Sequence, residues 1–431
     1  MTAPPPPRDG QPPRAIAAWC LYDWANSAFN TVIGTFVFSV YFARGIHGDE
    51  TAGSAAWGYA IGAAGFAVAL AAPVMGAIAD RVGRRKPWLA AFTAVTVLAT
   101  AALWYARPDP AYVPYALALV VVASIAFELA GVVYNAMLPS VAPARMTGRV
   151  SGWGWGLGYI GGLACLAVAL LGLVGLGETA PWLGLPDDAQ QPVRATALLV
   201  AVWYALFALP IFLAVADGSG TGATARRAVR EGLATLARTV RTLPRHGAVL
   251  RFLIASALYR DGLTTLFAVG GLYAAGTFGL SFEEILIFAI GLNVTAGAGA
   301  AGFAFVDDRI GSKPTVMLAL AGLIGLGVPI LLIDDATWFI ALALALGVFV
   351  GPAQAASRSL MARLSPPDLA TEFFGLYALT GKSIAFLGPL AFGLATDAFD
   401  SQRVGMATIL VFLGAGAVLL AGVRAPGPAP R

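Results

Sequence analysis

The sequence predicts an all-α polytopic membrane protein, with twelve transmembrane helices in two six-helix bundles. Three observations predict it. The 431 residues are 58% hydrophobic and only 12% charged, with a mean hydropathy of +0.77. A soluble domain carries about 25% charged residues, so this chain cannot clothe itself for water. The apolar runs are about 20 residues long, which suits helices crossing a hydrocarbon layer ~30 Å thick, and the alternating strands of a membrane barrel are absent. The third observation is a charged hairpin, Gly76-Ala-Ile-Ala-Asp80-Arg81-Val-Gly83-Arg84-Arg85-Lys86-Pro87, wedged between two apolar runs. It recurs in the second half as Asp308-Arg309-Ile310-Gly311-Ser312-Lys313-Pro314, again between two apolar runs.

Residues 1–15 are proline-rich, carry no long apolar region, and read as a disordered cytoplasmic tail and not as a cleaved signal peptide. The first bundle, 16–216, holds spans at about 17–43, 56–79, 88–106, 112–138, 151–175 and 195–215. A basic linker follows over 217–249, and the second bundle, 250–423, holds spans at about 250–277, 284–306, 314–333, 337–361, 372–396 and 404–423. Residues 424–431 form a second cytoplasmic tail.

Cationic loops stay on the cytoplasmic side. With the amino terminus inside, that side holds Arg81, Arg84, Arg85, Lys86, Arg145, Arg149, Arg309, Lys313, Arg358 and Arg363, besides both tails and the linker. The other side holds only Arg44, Arg107, Arg194 and Arg403. Both termini are therefore expected to be cytoplasmic. The linker carries Arg226, Arg227, Arg230, Arg238, Arg241 and Arg245, and its Val229, Leu233, Leu236, Val240 and Leu243 step by four and three. That pattern predicts an amphipathic basic helix lying on the anionic inner leaflet; the alternative is a solvated tether.

Cys20 and Cys165 both lie in or beside apolar runs and read as small core residues, not as a redox pair. His47 and His246 fall in predicted loops, which leaves no histidine for an intramembrane metal site, and no metal or cofactor is expected. The net charge of +4 reflects topology and not nucleic-acid binding. The halves echo one another: Asp23, Ser27 and Phe29 recur at the same spacing as Asp261, Thr265 and Phe267, each set closely preceded by a tyrosine, Tyr22 and Tyr259. Internal repeats of this size build secondary transporters, with the substrate site between them near mid-membrane.

The hairpin resembles the loop between helices two and three of the major facilitator superfamily. The segment Trp19-Cys-Leu-Tyr-Asp-Trp-Ala-Asn-Ser-Ala-Phe29 narrows the resemblance, with Tyr134-Asn135-Ala-Met-Leu-Pro139, the run Arg149–Tyr159, Tyr259-Arg260-Asp261-Gly262, Gln354-Ala-Ala-Ser-Arg-Ser359 and Glu372-Phe-Phe-Gly-Leu-Tyr377. Together these are similar to the branch that includes the vacuolar amino-acid effluxer of fungal autophagy and its bacterial relatives, from Trp19 to Gly393. The resemblance implies the major facilitator fold, alternating access, and for the fungal relatives export of amino acids. It also implies that Asp80 locks against a helix start in the opposite bundle, where a carboxylate is stabilised. Arg81 and Arg84 stand near enough to pair with it; Gly76 and Gly83 count with them as expected gating residues, and Asp308 and Arg309 are expected to act likewise in the second half. The counts of 24 Arg against three Lys (27 in all, less Lys86, Lys313 and Lys382) suggest a GC-rich bacterial genome and the cell inner membrane.

A charge at the centre of a span costs at least ~2.5 kcal/mol. The chain keeps Asp23, Glu128, Arg260, Asp261 and Lys382 within spans, and Arg358 near the cytoplasmic end of helix ten. Mid-membrane, the first half supplies acids and the second supplies Arg260 and Lys382. A zwitterion with its amine toward the first bundle and its carboxylate toward the second would bridge the halves, although Asp261 breaks the pattern. The alternative is that Arg260 pairs with a neighbouring acid and only ties helices together. Asp23, Glu128 or Asp261 are the candidates for a coupled proton. Asn26, Asn30, Asn135, Asn293 and Gln354 are candidates to line the pathway, with interhelical hydrogen bonding the alternative for each.

Gly156-Leu-Gly-Tyr-Ile-Gly161 matches a dinucleotide fingerprint but lacks a preceding strand. It belongs to a glycine face, Gly152, Gly154, Gly156, Gly158, Gly161 and Gly162, suited to close helix packing. Gly381-Lys-Ser383 lies in an apolar helix with the wrong spacing from Gly375 for a phosphate loop, and no nucleophile elbow or zinc-protease pair occurs. The sequence thus predicts no enzyme. It predicts a secondary active transporter that works as a monomer in the lipid bilayer on a small-molecule substrate, amino acids first. The alternatives are an exporter of drugs, sugars or lipids, and a non-transporting sensor or scaffold.

Overall fold

A computed structural model describes residues 10–175, 180–218, 220, 225–243, 247–280, 282–366 and 368–425. Residues 1–9 of the expected tail, Arg245 and His246 of the linker, and residues 426–431 lie outside the described residues. The described chain contains twelve helical spans, each long and apolar enough to cross a membrane. The protein is all-helical, a multi-pass membrane protein.

The first span combines α1 (Pro13–Ala28), a π-helical stretch Phe29–Phe36, α2 (Phe38–Tyr41) and a last π-helical turn that ends at Ile46. It begins at Pro13, where a proline suits the first helical turn because its missing N–H would have no partner there. Then come α3 (Glu50–Val82), α4 (Lys86–Ala102), α5 (Val113–Val141), α6 (Thr147–Ala169) and α7 (Gln191–Ala214). Helix α8 (Ala225–Thr242) is the linker helix. The second half holds α9 (Gly247–Phe278), α10 (Phe282–Ile310), α11 (Ser312–Ile330), α12 (Ala336–Leu364), the pair α13 (Ala370–Ile384) and α14 (Leu387–Phe399), and α15 (Gln402–Ala421).

Two irregularities bear on function. π-Helical turns concentrate at functional sites because they widen the helix and redirect side chains; the stretch over 29–36 presents Asn30, Thr31 and Thr35 to a central cavity. The eleventh span breaks after Ile384, where the sequence suggests one continuous helix. Pro389 explains the break: it has no N–H to give, and its ring would clash with the carbonyl four residues back, at Ala385.

The bundles meet along paired seams, α3 against α13 and α6 against α10, with α6 also reaching α12 and α5 reaching α13. Missing side chains permit these approaches. A Cβ on Gly76 would lie 2.8 Å from the Thr371 carbonyl carbon, and one on Gly375 2.8 Å from the Pro73 Cα. Helix α6 uses its glycines on both sides. Gly156 is within 3.2 Å of the Gly297 carbonyl oxygen of α10 by the same measure, and Gly161 within 2.7 Å of the Trp24 Cα of α1. Gly161→Leu should therefore force α1 and α6 apart and cost about 1–3 kcal/mol. Gly414→Ala, where a Cβ would meet open space, should leave thermal stability in detergent unchanged; that comparison checks the packing.

The α3–α4 hairpin, the α10–α11 turn and the described chain ends share one face, called here the loop face. Gln11 N–H donates to the Val141 carbonyl at the end of α5 (3.0 Å), and Lys313 Nζ donates to the Ala421 and Val423 carbonyls (2.7 and 2.8 Å).

Candidate functional site

A cavity of about 710 Å³ lies between the bundles. It runs from Asp23 of α1, near the loop face, to Thr35, Ile330 and Phe339 at the far ends of their helices. Of the expected pathway residues, Asp23, Asn26, Asn30, Arg260, Asn293 and Gln354 line it. Gln354 Nε2 donates to the Tyr159 hydroxyl (3.3 Å), and Asn293 Nδ2 donates to the Ala289 carbonyl of its own helix (2.8 Å).

Arg358 closes the loop-face end of the cavity. Its Nη1 meets Asp23 Oδ2 at 2.8 Å and Asn135 Oδ1 at 3.3 Å, and its Nε donates to Ser151 Oγ at 2.9 Å. The guanidinium stacks over Trp19, 4.9 Å from the ring centre, and faces Trp155 at 5.6 Å. Asp23, Asn135 and Ser151 belong to the first half and Arg358 to the second, so one buried cation fastens the two. Its flanking hydroxyls, Ser357 and Ser359, and Gln354 one turn earlier are the sequence signs of a cation held in a polar seam. Arg358 stands six residues before Leu364, where α12 ends, near the helix end expected for it.

Four expected pathway residues are not in the cavity wall. Asn135 sits behind it, accepting from Arg358. Glu128 of α5 and Lys382 of α13 pair with each other at 2.7 Å, both about one-third exposed. Each satisfies the other's charge across the halves, so neither stands free to grip the ends of a solute. Asp261 is buried, and its Oδ2 accepts the Gly388 N–H (2.8 Å). It caps the start of α14, just past the break, where a carboxylate suits the helix N-terminus.

Arg260 faces inward. It lies over Tyr377 at 4.2 Å from the ring centre, its Nη1 donates to the Tyr377 carbonyl at 3.4 Å, and it makes no ion pair among the described residues. The alternative, that a neighbouring acid neutralises it, is not what the described residues show: Asp261, next in the chain, accepts from Gly388 at the start of α14.

Asp80 takes the position the hairpin implies. Its Oδ2 accepts the Glu372 N–H in the first turn of α13 (2.8 Å), and its Oδ1 accepts from Arg85 Nη2 (3.0 Å). Arg85, not Arg81 or Arg84, is the pairing arginine, and its Nε also reaches Thr371 Oγ1 (2.9 Å). Arg81 instead donates to Thr235 Oγ1 of α8, and the exposed Arg84 lies beside Gly220. Gly83, at φ +74°, ends α3 in the left-handed region that glycine adopts without strain. The second half repeats the device. Asp308 accepts the Gly148 and Arg149 N–H groups at the start of α6 (2.8 and 3.2 Å) and Arg149 Nε at 2.7 Å, with Arg363 Nη2 3.5 Å away. Arg309 is exposed; Arg149 and Arg363 occupy the place expected for it.

Each carboxylate thus fastens a helix start in the opposite bundle on the loop face. Asp80→Asn should weaken the α3–α13 seam by about 1–2 kcal/mol, roughly tenfold in the ratio of shut to open forms. The alkylation rate of a cysteine placed at Ala72, buried in that seam, checks it.

A family model described as "Vacuole effluxer Atg22 like" matches residues 11–426. The MFS-type transporter YxiO of Bacillus subtilis (strain 168) is 28% identical over 414 residues, spanning 94% of this chain and 93% of that protein. Autophagy-related protein 22 of Cryptococcus neoformans var. neoformans serotype D is 28% identical over 290 residues, 62% of this chain and 48% of the fungal one. The matched region is thus about half the length of such fungal relatives. Among solved structures, the transporter FucP in the outward conformation superposes with a TM-score of 0.74 at 12% identity, covering 95% of this chain and 98% of that one. The proton:xylose symporter XylE superposes with a TM-score of 0.70 at 15% identity, covering 96% of each; at these identities the likeness is one of fold. With twelve spans in the arrangement of transporters and a family match over nearly its whole length, the chain is a transporter and not an enzyme. It belongs to the Atg22-like vacuole effluxer family within the major facilitator superfamily.

Proposed function

We propose that the protein moves amino acids, chiefly those with apolar side chains, across a bacterial inner membrane by alternating access and as a monomer, in the direction of efflux and with a proton as the coupled ion. The observation that carries this is Arg260, a cation in the cavity wall without an acid partner among the described residues. A desolvated guanidinium binds a carboxylate strongly and with two-pronged geometry. Of the other mid-membrane charges named above, Asp23 pairs with Arg358 and Glu128 with Lys382, while Asp261 caps the start of α14. The substrate amine then faces Asn26, Asn30 and the outer edge of Asp23, while Phe36, Phe288, Leu323 and Phe339 offer an apolar wall to its side chain. Arg260 and the Asp23–Asn30 face thereby replace Lys382 and Glu128 as the two grips. The asymmetry of arginine and lysine between the loops supports a cytoplasmic loop face and cytoplasmic termini, and the family description supports efflux.

The test is flux of labelled amino acids in proteoliposomes, with and without an imposed pH gradient. Saturable, gradient-dependent flux of leucine-like amino acids is expected. Flux of sugars or cationic drugs with none of any amino acid would contradict the proposal, and no flux of any solute would favour a sensor or scaffold.

A further inference from the structure

Helix α8 has three distinct faces. Ala228, Gly232, Thr235 and Thr239, spaced four, three and four apart, are buried. They dock the helix on α3: a Cβ on Gly232 would lie 3.0 Å from the Ala77 carbonyl oxygen, and Thr235 Oγ1 accepts from Arg81. Of the apolar residues singled out by their periodicity, Leu236 and Leu243 pack in part against the core, but the others do not form this contact. Val229, Leu233 and Val240 lie about a third of a turn round the helix and are exposed at 41%, 43% and 51%. Beyond them come the arginines, with Arg226 and Arg230 bordering the apolar stripe. The one acid of the helix, Glu231, lies away from that stripe and pairs with Arg227 at 2.7 Å.

Depth decides what meets the outer face. Ala77 stands five residues inside the end of α3 at Val82, about 7 Å at ~1.5 Å rise per residue. Helix α8 therefore lies alongside the last turns of a membrane span, at headgroup level, and not above it in water. An apolar stripe at that depth, edged by guanidiniums, is how a helix lies in a membrane interface. Arg226, Val229, Arg230 and Leu233 together line a shallow groove on this outer face.

We propose that this groove is a binding site for an anionic phospholipid of the surrounding bilayer. Arg226 and Arg230 hold the lipid phosphodiester, and Val229 and Leu233 lie along the upper part of an acyl chain. Because the opposite face of α8 holds Arg81, the bound lipid also steadies the α3 end of the Asp80 latch.

The test is hydrogen–deuterium exchange of the full chain in nanodiscs of phosphatidylcholine alone and of phosphatidylcholine with phosphatidylglycerol. Exchange of α8 amides is expected to slow roughly 30-fold with the anionic lipid, as two arginines near a charged surface would give. The R226Q/R230Q variant, which keeps the buried stripe intact, should lose that difference while α3 and α13 exchange as in the parent. Equal α8 exchange in the two lipids, or an undiminished lipid effect in the variant, would overturn the proposal. So would protection that appears in phosphatidylcholine only when two copies share a disc, which would make a second protein copy the occupant.

Discussion

Arg358→Ala is expected to destabilise the protein by about 3–5 kcal/mol, the largest single effect foreseen. The substitution leaves Asp23, whose side chain is 14% exposed, without its ion partner, and removing one member of a largely buried pair costs that much. It also empties the space between Trp19 and Trp155 and strands the Ser151 carbonyl, which accepts from Arg358 Nη2. Replacing both members, as Asp23→Leu with Arg358→Leu, should recover much of the stability, because the charge left behind accounts for most of the loss. Neither form should transport, since the double variant removes the polar floor of the cavity along with the latch. Thermal unfolding in detergent, read against flux in proteoliposomes, separates the two effects.

Arg260→Gln is expected to lower flux about 10–100-fold, the consequence of removing a charge-assisted bond worth roughly 1.5–3 kcal/mol. Stability should hold, because Arg260 gives up only a ring contact and a long hydrogen bond to the Tyr377 carbonyl. Arg260→Lys should recover part of the flux: it restores the charge but not the paired donors. Lys382→Gln differs in kind. It breaks the Glu128 pair outside the cavity wall and should alter how readily the halves separate more than how tightly substrate binds. Concentration dependence distinguishes them: Arg260 variants raise the half-saturating concentration, and Lys382→Gln changes the maximal rate.

What the sequence revealed and what it hid follow from how local each signal is. Asp80 and Gly83 announce themselves because the hairpin is contiguous and squeezed between two apolar runs; Asp308 repeats the pattern. The glycines of α6 are likewise legible as a packing face, and the structure adds that they serve α1 as well as α10. Pairing across the halves is another matter. Asp23 and Arg358 lie 335 positions apart, and Glu128 and Lys382 lie 254 apart; nothing in composition or period says which acid meets which base. Counting signs suggested one pocket holding Glu128, Arg260 and Lys382, whereas the fold neutralises two of them together and leaves Arg260 to the cavity. The same limit applies to α8, where periodicity identified an amphipathic helix but not that its threonine face would be buried while Val229, Leu233 and Val240 stay exposed.

The central claim is that the two bundles rock about the cavity, with the loop face shut in the form described here and open in another. Spin labels at Arg84 and Asp368, both exposed and flanking the Asp80 latch, in a chain with Cys20 and Cys165 replaced, report that movement directly by pulsed electron resonance in nanodiscs. Two distance populations are expected, with Asp80→Asn shifting weight to the longer one and leucine changing the ratio in the parent but not in Arg260→Gln. A single short distance, unchanged by leucine and by Asp80→Asn, would contradict the account.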